Sequence, residues 1–183
     1  MVRLLTRDYD IIVVGGGVAG INAATEARSV RPSCSVALIA DESKIYSRPA
    51  LTHAIAGHAE SVDDVAIYTR STLESLGVNT YFSSKIASLD ANNRAVELKR
   101  ADQEESLRYR SIVLATGSRP ALPRVRGLGL ENVFSIKWAG DALRVSAIAS
   151  PGMRACVVGA GFIGLEMAQA LFRRGLKVTL VEM

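Results

Sequence analysis

Apolar positions along this chain follow two rhythms, a continuous one and one spaced at three to four residues. Ile11-Ile12-Val13-Val14 is an unbroken β-branched run, the pattern of a strand buried on both faces. It leads into Gly15-Gly16-Gly17-Val18-Ala19-Gly20. Ile21, Ala24 and Ala27 then recur at helical spacing, which predicts a helix from about Val18 to Val30, ended by Arg31-Pro32. Residues 35–40 form a second apolar run. Residues 65–67 read as strand-like and lead into a helix through Thr72, Leu73 and Leu76, closed by Gly77. From Val78 the texture turns to short strands: 78–82, 85–89, 95–99 after the turn cluster Asp90-Ala91-Asn92-Asn93, then 106–109 and a separate apolar strand at 111–115. Residues 120–129, with two prolines and two glycines, read as a linker, and a helix is expected over about 139–149. Pro151-Gly152 breaks the chain, and the opening pattern returns. A strand at 153–158 meets Gly159-Ala160-Gly161-Phe162-Ile163-Gly164, a helix runs over 162–174 to Gly175, and a strand at Lys177–Val181 ends in Glu182.

Two G-x-G-x-x-G loops, 144 residues apart, stand at these strand-to-helix junctions. At the first, Gly15 permits the tight turn, Gly17 lets the main chain come close to a diphosphate, and Gly20 lets the helix pack on the strand. The free N–H groups at the helix start, those of Val18 and Ala19, favour negative charge there. Gly159, Gly161, Phe162, Ile163 and Gly164 repeat the arrangement. An acid at the end of the following strand accepts from ribose hydroxyls in such units. Glu182 follows Gly164 by 18 residues, near the usual spacing of about 20. That acid suits a ribose hydroxyl and repels a 2′-phosphate, so NAD(H) is expected over NADP(H). At the first loop Ala40 holds the equivalent place, and Asp41 just beyond it is the expected ribose partner. Arg48, set out of helical geometry by Pro49, suits a diphosphate through its paired donors.

Composition narrows the picture without changing it. The 183 residues are 49% hydrophobic and 22% charged, as in a soluble globular protein. The net charge of +4 comes from scattered Lys and Arg, so no nucleic-acid partner is expected. No apolar run reaches membrane-spanning length. Residues 1–8 are too short and too charged for a signal peptide, and Cys34 and Cys156 form no C-x-x-C. Buried free thiols and a cytoplasmic setting are expected.

Ile12-Val13-Val14-Gly15-Gly16-Gly17-Val18-Ala19-Gly20, Ala115-Thr116-Gly117-Ser118-Arg119-Pro120 and Val158-Gly159-Ala160-Gly161-Phe162-Ile163-Gly164-Leu165-Glu166, in this order, resemble the N-terminal part of the FAD-dependent pyridine nucleotide-disulfide oxidoreductases. Tyr46-Ser47-Arg48-Pro49-Ala50-Leu51-Thr52 is similar to the branch that reduces rubredoxins, ferredoxins and related iron carriers. The resemblance implies an α/β chain: a Rossmann-like, three-layer FAD-binding domain with a β-meander insertion (residues 1–120), a linker and helix (121–150), and the first βαβ of a Rossmann-like NAD(P)-binding domain (151–183). It implies FAD at the first loop, Thr116 and Gly117 against the FAD, main chain near Ile86 beside the adenine, NAD(P)H at the second loop, and Glu166 near the nicotinamide. The implied activity is hydride transfer from NADH to FAD, then electrons to a small redox protein.

The disulfide reductases of this family carry a C-x-x-x-x-C pair, and its peroxidases and oxidases carry one redox cysteine. Neither is present between Cys34 and Cys156, so thiol chemistry is not expected in the first domain. His53 stands where ferredoxin reductases often carry a Lys, and flavin electron transfer requires no side-chain acid there. The chain reads as an N-terminal fragment that is inactive alone. The rival reading is a non-catalytic nucleotide-binding subunit that needs a partner chain; a homo-oligomer is also open.

Overall fold

The computed structural model describes residues 6–100 and 103–182. In chain order the elements are β1 (Thr6–Val14), α1 (Val18–Val30), β2 (Val36–Ile39), β3 (Ile45–Tyr46), α2 (Leu51–Ile55), a 3-10 turn (Val62–Val65), β4 (Ala66–Tyr68), α3 (Arg70–Ser75), β5 (Val78–Tyr81), β6 (Lys85–Asp90), β7 (Ala95–Arg100), β8 (Gln103–Leu114), α4 (Ala139–Ile148), β9 (Arg154–Val158), α5 (Phe162–Arg173) and β10 (Lys177–Val181). They group into two compact units. One holds the described residues up to Ile45 and Ile67–Ser118; the other holds Tyr46–Ala66 and the described residues from Arg119 onward.

The first unit is built on a six-stranded sheet of order β5-β2-β1-β8-β7-β6. β5, β2, β1 and β8 run parallel, and β8, β7 and β6 run antiparallel. Apolar residues on both faces of β1 and β2 explain why those strands lie inside. Val13, Val36 and Leu38 pack with Ile21, Ala24 and Leu73 from the helices. Ile12, Val14, Ala37 and Ile39 pack with Val96, Leu98 and Leu107 from the meander. The result is three layers: helices, parallel sheet and meander.

The two strands expected at 106–109 and 111–115 are continuous. β8 is one 12-residue strand. It pairs with β1 from Ser106 to Leu114 and with β7 from Gln103 to Arg108. Arg110 and Ser111 interrupt the apolar pattern but not the strand, because β1 goes on pairing with it through Leu114 after the pairing with β7 has ended at Arg108. Val113 and Leu114, in the run read as an apolar strand, are exposed.

Asp10 ties β1 to the entry of β2. Its Oδ2 accepts from the Ser35 N–H at 2.8 Å and from the Ser35 hydroxyl at 2.9 Å. The Ser35 backbone bond, first among the causes, holds this carboxyl below its ordinary value. Because the folded pKa is depressed, the link contributes fully above the ordinary carboxylate value of about 4 and fades as pH falls through the folded value. Acid titration of unfolding stability should therefore show a steeper loss in the native chain than in Asp10→Asn; equal slopes would contradict this role.

In the second unit, β9 and β10 pair in parallel and α5 packs on them. Met167, Ala170 and Leu171 of α5 are buried in a core shared with α2 and α4. Arg174, just past α5, binds this core from its edge. It donates to the carbonyls of Ala149 (2.8 Å), Ile55 (3.1 Å) and Ser146 (2.6 Å), and to the Ser146 hydroxyl (2.9 Å). Arg174→Ala removes a charged donor from three carbonyls and should cost about 2–4 kcal/mol in urea unfolding; a cost below about 1 kcal/mol would contradict the role.

Phe162, 90% exposed, and Leu165, also exposed, lie on α5 with nothing packed over them, although both fall at apolar helical spacing. Cys156 is exposed while Cys34 is buried; both are free. The cause lies in the two-stranded sheet. Ala155 and Val157 pack toward the core, so the alternate positions Cys156 and Val158 face outward with nothing over them.

Candidate functional site

The strand-to-helix turn after β1 is set by three close approaches. Gly15 has φ +119°, and its N–H donates to the Ile39 carbonyl at 2.8 Å. A Cβ on Gly15 would lie 2.1 Å from the Ala115 carbonyl oxygen, and one on Gly20 would lie 1.9 Å from the Gly15 carbonyl oxygen. The loop is thus clamped between β2, the end of β8 and its own helix. Gly17 differs. It is the extended residue before α1 (φ −79°, ψ 177°), and a Cβ there would meet no atom within 4 Å. No side chain caps the helix, and among the described residues the N–H groups of Val18 and Ala19 have no protein acceptor. A pair of outward donors therefore sits beside space that a side chain would fill.

The second loop repeats this geometry. Gly159 has φ +103° and donates to the Val181 carbonyl at 2.8 Å. A Cβ on Gly164 would lie 1.8 Å from the Gly159 carbonyl oxygen, whereas one on Gly161 would meet nothing. Gly161 is extended and provides no side-chain cap for α5, and the N–H groups of Phe162 and Ile163 have no protein acceptor among the described residues.

The two units differ at the end of the next strand. The register pairs Val14 with Ile39 and Val158 with Val181, so Ala40 and Glu182 are equivalent. The Glu182 carboxylate accepts from the Ala160 N–H inside the second loop. Ala40 is buried, and a Cβ on Gly16 would meet its methyl at 2.8 Å. Asp41 follows, exposed.

The structure brings Ala115 and Thr116 against Gly15, with exposed Gly117 one residue on at φ +71°. Residues 81–84 run beside the end of β2: Ala40 donates to Tyr81, Ser84 to Ala40 and Ser83 to Glu42, all backbone to backbone. This carries the chain to Ile86, half-buried on β6 opposite Leu98. Arg48 belongs to the second unit. Its Nη1 donates to the Lys137 carbonyl at 2.7 Å, and its guanidinium lies 5.7 Å from the centre of the Tyr46 ring.

Glu166, on α5, lines a cavity of about 160 Å³ with Thr52, His53, His58, Gln169 and Arg173. His53 and His58 stand ring to ring, 6.5 Å between centroids. Sequence reasoning gave these histidines no role. Nothing local in Thr52-His53-Ala54 announces that α2 packs beside α5; only the fold places His53 near Glu166.

Comparison with known proteins agrees with the geometry. Residues 9–183 match the family model for pyridine nucleotide-disulphide oxidoreductases. An NADH oxidase of Methanocaldococcus jannaschii is 32% identical over 177 residues, covering 94% of this chain and 40% of that protein. A rubredoxin-NAD(+) reductase of Alcanivorax borkumensis is 31% identical over 95% of this chain and 45% of its own length. Among solved structures, a chain of the covalent putidaredoxin reductase–putidaredoxin complex superposes with a TM-score of 0.82 at 25% identity, over 94% of this chain and 42% of that one. This chain belongs to the pyridine nucleotide-disulphide oxidoreductase family. It spans less than half the length of these relatives.

Proposed function

We propose that this chain is the flavin-binding portion, with the opening βαβ of the nicotinamide-nucleotide unit, of an NAD(P)H-dependent flavoprotein oxidoreductase. The observation that carries the reading is the twofold occurrence of an uncapped helix end beside a glycine, Gly17 or Gly161, with open space where a side chain would stand. The residues present fit the two coenzymes. Gly15, Gly17, Val18, Ala19 and Gly20 hold the FAD diphosphate; Asp41 takes the adenosine ribose, Arg48 adds positive charge, main chain at Ile86 borders the adenine, and Thr116 and Gly117 border the flavin. Gly159, Gly161, Phe162, Ile163 and Gly164 hold the second diphosphate, with Glu166 beside the nicotinamide. When bound, the flavin accepts hydride from the nicotinamide and passes electrons to a small redox protein of the rubredoxin or ferredoxin kind. The relatives' names, a rubredoxin reductase and a putidaredoxin complex, support that acceptor class. In this reading residues 1–120 serve FAD and 151–183 begin the NAD domain, joined by 121–150. Two free cysteines suit a cytoplasmic setting. Among the described residues no helix is long and apolar enough to cross a membrane.

Glu182 directs the second loop to NAD(H). A 2′-phosphate would meet its carboxylate, already drawn to the loop by Ala160. In the full-length protein, Glu182→Ala should narrow the preference for NADH over NADPH by about tenfold, or ~1.4 kcal/mol; an unchanged ratio would remove Glu182 from coenzyme selection. Anaerobic NADH should bleach the flavin absorbance of the full-length protein, and a flavin that stays oxidised contradicts the reading.

One observation favours a second reading, a nucleotide-binding subunit completed by a partner chain. Phe162, Phe172, Leu180 and Val181 of the βαβ are exposed together with the edges of a two-stranded sheet. Flavin colour that appears only in a complex with a second protein would select it.

A further inference from the structure

The first unit carries a basic hollow that the dinucleotide reading leaves unused. Its volume is about 500 Å³, and Asp8, Asn92, Asn93, Arg94, Arg108 and Arg110 line it. The sheet register assembles it: Arg108 pairs with Asp8 on β1 and with Ala95 on β7, and the Tyr109 N–H donates to the Arg94 carbonyl at 2.9 Å. Three arginines, two on β8 and one in the turn before β7, thus line it beside two asparagines. Their charge is answered only in part. Asp8 reaches Arg108 only at 3.9 Å. Asp10 is held by the backbone and hydroxyl of Ser35 and also feels Arg110, and Asp90 accepts from the N–H groups of Asn92 and Asn93 and from the Asn93 amide. Among the described residues Arg94 and Arg110 have no carboxylate within ion-pair distance.

We propose that this hollow is a second anion site, separate from the glycine loops, that takes a small molecule bearing a di- or triphosphate. Guanidinium forks match phosphate oxygens in pairs, and several phosphates in one ligand answer three arginines better than one does. The hollow is open to solvent and has room for a small phosphate-bearing molecule. Its place argues for a small anion over the face of an electron carrier. Asp8 and Val14 are six strand residues apart on β1, roughly 20 Å at ~3.3 Å each, so the hollow lies at the far end of β1 from the Gly15 turn.

The test is calorimetric titration of the chain with inorganic pyrophosphate, a probe that the glycine loops can also bind. Arg108→Gln/Arg110→Gln should weaken one binding component at least tenfold, and Gly17→Ala should leave that component in place. Arg94→Gly checks the result without a folding penalty, since Arg94 sits at φ +51°, where glycine is at ease; it should weaken the same component about fivefold or more. The component should also fall steeply with added salt. Arginine variants that bind pyrophosphate as the parent chain does would overturn the site. Loss of all binding in Gly17→Ala alone would overturn it too, while leaving the dinucleotide reading intact.

Discussion

Gly15→Ala will leave the first unit without a stable fold. The added Cβ would stand 2.1 Å from the Ala115 carbonyl oxygen and 2.6 Å from its carbon, and both belong to backbone at the end of β8. Backbone held by β8 has no rotamer through which to retreat. The residue must also keep φ +119°, which a side chain resists. Strain at φ of about 1–3 kcal/mol and a similar overpacking term together approach the ~5–15 kcal/mol that holds an ordinary domain. Gly20→Ala should act alike, its Cβ meeting the Gly15 carbonyl oxygen at 1.9 Å. Urea unfolding followed by circular dichroism measures both. A midpoint within about 1 kcal/mol of the parent would mean that the close packing of this turn does not hold in solution.

Gly17→Ala should do the reverse: keep the fold and lose the coenzyme. Its φ and ψ are those any residue adopts, and the new methyl meets no protein atom within 4 Å. Unfolding stability should change by no more than about 0.5 kcal/mol. The methyl stands in the space beside the free N–H groups of Val18 and Ala19, where the account puts the FAD diphosphate. Affinity for FAD, read by equilibrium dialysis, should fall at least a hundredfold, about 2.7 kcal/mol. Gly161→Ala is the counterpart in the second unit, expected to weaken NADH binding in the full-length protein. Variants that bind as the parent does would show that these openings are only turns.

Gly15 and Gly17, two positions apart in one motif, thus carry opposite expectations, and the sequence announces only that both are glycine. Spacing located the loops, the helices that follow and the strands beside them, because local periodicity is nearly sufficient for an element buried on both faces. Ile12 and Val13 illustrate this, being fully buried. Where neighbours decide, the pattern fell short. β8 runs unbroken through Arg110-Ser111 because β1 holds it in register, a fact of tertiary pairing. Residues 46–66 group with the second unit, although they follow β2 directly in sequence. His53 and Glu166 share a cavity although they stand 113 positions apart in sequence. Phe162 and Leu165 keep a helical apolar rhythm with no surface over them, so periodicity marked packing where there is exposure. The acid after β2 was legible as an offset: Ala40 holds the place that Glu182 holds after β10, and the strand registers confirm the equivalence.

The central claim is that the turn from Gly15 to Gly20 grips the diphosphate of FAD. Amide-resolved NMR of the isotope-labelled chain, titrated with FAD, tests it most directly. The account predicts saturable shifts centred on the N–H groups of Gly17, Val18 and Ala19, with a second group at Thr116 and Gly117. Saturable FAD binding whose shifts leave residues 15–20 unmoved, or no binding by a chain that is otherwise folded, would contradict it.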